Sequence, residues 1–141
     1  MGGCVTTPAA GWATPMFHAT SLERSIAFYE LLGFELIDTD RSTPLGWARL
    51  HCEGGAIMLV KSDRPIDAAR QEVSLYMYTA DLPALRAHLI TQGLAPTAIC
   101  YPGYLPSGEM HLNDPDGYAV GIAHWGESEH SEWLQRIGRK P

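Results

Sequence analysis

Six histidines and three cysteines are the residues of this chain best suited to metal or nucleophile chemistry. Their spacing argues for neither. Cys4, Cys52 and Cys100 are odd in number, far apart and in no CxxC pair, so they suggest neither a disulfide framework nor a structural zinc site. Cys52 and Cys100 read instead as small buried hydrophobes. No Ser-His-Asp order, glycine-rich phosphate loop or Cys-His signature occurs. His18 and His51 fall in strand-like runs, where alternation puts His18 on the side of Thr14, and His51 on the side of Trp47 and Arg49. A lone strand histidine more often bonds locally or to an organic ligand than to a metal; an atypical metal site using these two is the open alternative. His88, His111, His124 and His130 carry less information.

The elements that would position such groups repeat. Ser21 caps "LERSIAFYELL", which stops at Gly33, and Asp81 caps a helix with Pro83 early in it, running "ALRAHLITQ" to Gly93. A β-like run precedes each cap, "ATPMFHAT" and "VSLYMYTA", so the unit recurs at an offset of sixty residues. Strand candidates follow each helix: "FELIDT", "GWARLHCE" and "AIMLVKS", then "LAPTAIC", "EMHLN" and "YAVGIAHW". The pattern predicts an α+β fold of two βαβββ modules in one domain, over about 12–61 and 72–126, joined by a linker at about 62–71. "DPDG" reads as a strand-joining turn that uses Gly117 for backbone freedom and Asp114 or Asp116 for local hydrogen bonds. An amphipathic helix at about 128–138, with Trp133, Leu134 and Ile137 on one side, reads as docking on the core or on a dimer partner.

Composition bounds the function. The 141 residues are 45% hydrophobic, enough for one compact core, and 14 Gly with 10 Pro suit a turn-rich fold. A formal charge of −6, with no stripe of Lys or Arg, disfavours nucleic-acid binding. Apolar runs are too short for a membrane helix, and "MGGCVTTPAAGW" lacks a basic start followed by an apolar core, so an irregular arm on a cytoplasmic protein is expected.

The run "SLERSIAFYELLGFEL" after a strand, with "DPDGYAVGI" near the end, resembles the vicinal oxygen chelate superfamily over about residues 13 to 125. That superfamily takes in glyoxalase I, extradiol dioxygenases, fosfomycin resistance thiol transferases and bleomycin resistance proteins. The resemblance implies two modules curving their sheets around a cavity, with a divalent metal held by His, Gln or Glu side chains from four strands. Carried over one at a time, the ligand positions fall on Thr14, about Met58, Ser74 and Gly121. None is a usual ligand, so no metal or other cofactor is expected. "ATPMFHATSLERSIAFYELLGF" and "GWARL" are similar to the bleomycin resistance branch, which the resemblance describes as metal-free dimers that sequester the drug between subunits.

With Thr14 and Ser74 facing inward, alternation lists a cavity face of Thr14, Met16, His18, Met58, Ser74, Tyr76, Tyr78, Ala119, Gly121, Ala123 and Trp125, joined by Trp47 and Arg49. Aromatics and methionines there suit a flat or cationic ligand. They also read as filling the core, the module interface or a dimer contact. Glu109 reads as a solvated or turn carboxylate, or as the partner of a ligand cation. Tyr101 and Tyr104 lie in a loop able to lid the cavity. Gly121 is expected to open space beside Trp125 or to mark a bulge. The leading expectation is a homodimeric, metal-free binder of an antibiotic-like or aromatic compound. A glyoxalase-like or dioxygenase-type enzyme using His18 and His51, and a vestigial accessory subunit, are the rivals.

Overall fold

Both helices begin and end where the side chains dictate. Ser21 Oγ accepts from Arg24 N (3.3 Å) at the start of α1 (Leu22–Leu31), and Asp81 Oδ1 accepts from Ala84 N (3.1 Å) at the start of α2 (Leu82–Thr91). Each helix is followed by a glycine at positive φ, Gly33 and Gly93. This computed structural model describes residues 8–10 and 13–138. Cys4 and most of the expected N-terminal arm lie outside the described residues.

In the first module β1 (Met16–Ala19), β2 (Glu35–Thr39), β3 (Trp47–Cys52) and β4 (Gly55–Lys61) form one sheet in the order β1-β4-β3-β2. β1 runs parallel to β4, and the other pairs are antiparallel. In the second module β5 (Ser74–Thr79), β6 (Glu109–Asn113) and β7 (Ala119–His124) give the order β5-β7-β6, with β5 parallel to β7. A single 3-10 turn at Ala68–Arg70 lies between the modules, and α3 (Glu127–Arg136) follows β7.

One expected strand is missing. "LAPTAIC" forms no regular strand and bonds to β6 at two points, through Thr97 N to His111 O (2.8 Å) with His111 N to Thr97 Oγ1 (3.0 Å), and through the reciprocal Cys100–Glu109 backbone pair (2.9 Å each way). Pro96 has no N–H to give to a ladder, which leaves the segment an irregular edge. Nor do the cysteines match the expectation of burial: Cys52 is half-buried, and Cys100, on that edge, is exposed.

Alternation sorts the side chains of both sheets. Phe17, Ala48, Leu50, Ile57 and Leu59 are buried on the α1 side, while Met110, Leu112, Val120 and Ile122 are buried on the α2 side. Each large side chain so buried contributes about 1.5–3 kcal/mol. Both sets belong to one hydrophobic cluster, bridged where Phe17 stacks on Tyr118 at 5.2 Å.

The "DPDG" turn makes its local bonds and also latches the modules together. Asp114 Oδ1 accepts from Asp116 N and Tyr118 N (2.9 Å each), and Asp114 Oδ2 accepts from the buried Tyr29 hydroxyl of α1 (2.9 Å). Asp116 accepts from Thr20 Oγ1 (2.5 Å) and Thr20 N (3.1 Å) at the end of β1. Burial raises the Tyr29 and Asp114 pKa values, so neither group is held there by charge alone.

Candidate functional site

With one face of each sheet spent on the helices, the other faces stay open, and the expected site residues divide between them. Met16, His18, Trp47, Arg49 and Met58 lie on the open face of the four-stranded sheet. Tyr76, Tyr78, Glu109, Gly121 and, just past β7, Trp125 lie on the open face of the three-stranded sheet, with Tyr104 reaching in from the loop before β6.

On the first face Arg49 stands among the expected ligand positions. Its guanidinium donates to Thr14 Oγ1 (3.3 Å), to Met58 Sδ (3.6 Å) and, through Nε, to His51 Nε2 (3.0 Å). A fixed cation therefore occupies the neighbourhood of two of the four positions, and His51 spends its Nε2 lone pair on it. His18 and His51 cannot join in one metal site. Their partners on β4 are Val60 and Ala56, four residues apart, or roughly 13 Å at about 3.3 Å per residue. Hydroxyl, thioether, hydroxyl and glycine at Thr14, Met58, Ser74 and Gly121 do not fit a divalent ion.

The second face is built in cross-strand rows. Tyr76, Gly121 and His111 form one row; Tyr78, Ala123 and Glu109 form the next. The pairing is continuous through Gly121, so the glycine marks no bulge, and it does not open space beside Trp125. A Cβ there would lie 2.9 Å from two ring carbons of Tyr76 and 3.4 Å from His111 Nδ1. Gly121 is buried beneath the Tyr76 ring, and its missing side chain lets that ring lie down on β7.

So placed, the Tyr76 hydroxyl donates to Glu109 Oε2 (2.6 Å), while Tyr104 donates to Oε1 (2.9 Å) and His111 Nε2 lies 3.4 Å from Oε1. Glu109 is thus no solvated turn carboxylate: it is 4% exposed. The Tyr76 hydrogen bond, followed by that of Tyr104, holds its pKa below the ordinary carboxylate value against the cost of burial, while burial first and then the bond to Glu109 push the Tyr76 hydroxyl upward. Cys100, Glu109 and His111 bring ligand atoms within 4.8 Å of one another, none of them one of the family's four positions, although His111 pairs directly with Gly121.

Aromatic rings continue from this carboxylate. Tyr76 meets Tyr78 at 5.5 Å, Tyr78 meets Trp125 at 5.8 Å, and Trp125 meets Trp133 of α3 at 6.2 Å, all edge to face. Two clefts share Tyr78 and Trp125. One, of about 390 Å³, is closed by His130 and Trp133; the other, of about 500 Å³, contains Ser74, Tyr76, Tyr104 and Glu109. Neither is lined by a residue of the four-stranded sheet. Tyr101 lines neither cleft and is exposed. α3 buries no residue in the core, contrary to one of its two expected dockings; His130 and Trp133 turn to Trp125 instead. Sequence reasoning missed both as site residues, although their i, i+3 spacing shortly after Trp125 was a usable signal.

A βαβββ module and a βαββ module each leave one sheet face free, and the family's usual metal positions on those faces carry no imidazole, carboxylate or thiolate. Residues 15–122 match the model of the glyoxalase/bleomycin resistance protein/dioxygenase superfamily, and the chain belongs to that family. A bleomycin-binding protein solved with bleomycin has 20% identity and a TM-score of 0.66 over 82% of this chain and 99% of its own. A bleomycin resistance determinant encoded on transposon Tn5 has 21% identity and a TM-score of 0.67 over 84% and 99%. The fosfomycin resistance protein FosX from Listeria monocytogenes has 11% identity and a TM-score of 0.67 over 86% and 98%. These likenesses show a common fold. No curated protein matches in sequence, and no helix among the described residues is long and apolar enough to cross a membrane.

Proposed function

We propose that the protein is a stoichiometric binder that sequesters an antibiotic-like or aromatic small molecule in the cytoplasm, without a metal at the family's ligand positions. The observation that carries this reading is the aromatic face of the β5-β7-β6 sheet, open over two clefts and ending at a buried carboxylate. The bleomycin-bound relative supports a ligand of this kind. Affinity would come from burying flat apolar area against Tyr78, Trp125 and Trp133. Neither of the two clefts draws on the open face of the four-stranded sheet, and a homodimer in which each free face meets a partner surface across the ligand would use both faces.

Thermal shift and tryptophan quenching with a panel of bleomycin-type drugs and polycyclic aromatic compounds test the reading. Saturable binding at about one ligand per chain, unchanged after exhaustive dialysis against EDTA, is the expected result. No shift with any compound would leave a vestigial scaffold; turnover of a ligand would make the protein an enzyme.

A further inference from the structure

Resting on that reading, we propose that the ligand is a planar aromatic cation held in two parts, with its rings against Trp125 and Trp133 and its positive charge turned toward Glu109. The two clefts are chemically unlike and adjoin at Tyr78 and Trp125. The α3 side offers aromatic faces; the β6 side offers a carboxylate.

Glu109 has its hydrogen-bonding needs met by two neutral phenols, which leave its charge uncompensated. Among the described residues no lysine or arginine pairs with it, and its one basic neighbour, His111, is half exposed. The phenols favour the ionised form and outweigh the cost of burying it, but they bring no opposite charge. A bound cation would supply that charge. The rings of Tyr76, Tyr78 and Trp125 lead toward it at centroid steps of 5.5 and 5.8 Å, and aromatic faces attract the same charge. A neutral planar ligand would satisfy the α3 cleft alone. An anionic one would meet Glu109 as a like charge.

Acridine, neutral at pH 8, and 10-methylacridinium, permanently cationic, share one ring system and separate the two contributions. Titrated into the full chain, the cation is expected to bind at least about tenfold more tightly, equivalent to about 1.4 kcal/mol. Glu109→Gln should remove that preference, bringing the cation's affinity to that of acridine, whereas Trp133→Leu should weaken both and keep the ratio between them. Equal affinity of the wild-type protein for the two probes overturns the charge assignment while leaving the binder reading intact; this outcome needs no variant to fold. Retention of the preference in Glu109→Gln, with its near-ultraviolet circular dichroism unchanged, overturns it as well. Absence of binding by both probes, and by every compound of the wider panel, defeats the underlying reading itself.

Discussion

Replacing Gly121 with alanine should detach Tyr76 from Glu109. The added Cβ would sit 2.9 Å from ring carbons Cδ2 and Cε2, closer than real Cβ contacts come, so the ring must be compressed or must move. Holding it in place is overpacking, which costs about 1–3 kcal/mol. Swinging it outward is open to Tyr76, because the residue is 41% exposed, but forfeits the 2.6 Å bond to the carboxylate, a contact to a charged group of about 1.5–3 kcal/mol. The protein takes the cheaper course. Alanine also recovers about 0.5–1 kcal/mol in a strand interior, so a net loss of about 1–2 kcal/mol remains. For a chain of this size that lowers Tm by roughly 3–8 °C. Gly54→Ala, where an added Cβ meets nothing within 4 Å, is the matched control and should change stability by less than about 0.5 kcal/mol. Urea denaturation measures the loss, and a carbon-detected titration of Glu109 measures the detachment as a rise of its pKa toward the ordinary value. A Gly121→Ala protein as stable as wild type, with Glu109 titrating unchanged, would refute the close-packing account of this glycine.

The Glu109 pKa is lowered chiefly by the Tyr76 hydrogen bond, so the charge is present above the ordinary carboxylate range and lost as pH falls through the lowered folded value. Measured in a His111→Gln background, to remove the basic side chain beside it, affinity for 10-methylacridinium should stay flat from about pH 8 to 5 and fall only in stronger acid; a decline already complete at pH 5 would contradict the lowered value. Tyr29→Phe removes the buried donor to Asp114 Oδ2 and should cost about 1–2 kcal/mol in denaturant, below the full value for a charged partner because burial raises the Asp114 pKa; no change in the unfolding midpoint would mean that the latch contributes nothing. Zinc, if Cys100, Glu109 and His111 take it up, should compete with the dye and not support it, and Cys100→Ala should abolish the competition. Zinc-dependent dye binding would reverse that order.

What was legible in the sequence is what local rules decide. Ser21, Asp81, Gly33 and Gly93 fix the helix ends through bonds and torsions within a few residues, and strict alternation assigned Phe17, Ile57, Leu59, Val120 and Ile122 to the helix-facing sides. What escaped depends on neighbours far apart in the chain. Glu109 looked solvated because its partners, Tyr76 on β5 and Tyr104 on a loop, meet it only after the sheet has formed. Gly121 was legible as a missing ligand but not as the floor under Tyr76, since the register of β5 on β7 has no local signature. In "LAPTAIC" the β-propensity of the flanking residues predicts a strand, but Pro96 has no N–H to give to a ladder. Trp133 was assigned to docking because an amphipathic helix does not say which surface it covers.

On the four-stranded sheet the family's ligand positions, Thr14 and Met58, lie beside Arg49. Mutating ligands away would leave a polar hollow on the four-stranded sheet, with Thr14 and His51 in need of partners. Arg49 supplies a donor to both and to Met58 at once, so a permanent organic cation, tied to its own chain by three bonds to neutral partners, stands beside two of those positions. The three-stranded sheet has no such substitute. Its carboxylate, Glu109, lies outside the family's ligand positions and is held as an anion by phenol partners, with no lysine or arginine paired to it among the described residues. The first sheet thus carries a fixed cation and the second a fixed anion, so a ligand cation would find its counter-charge on β5, β6 and β7 and not beside Arg49.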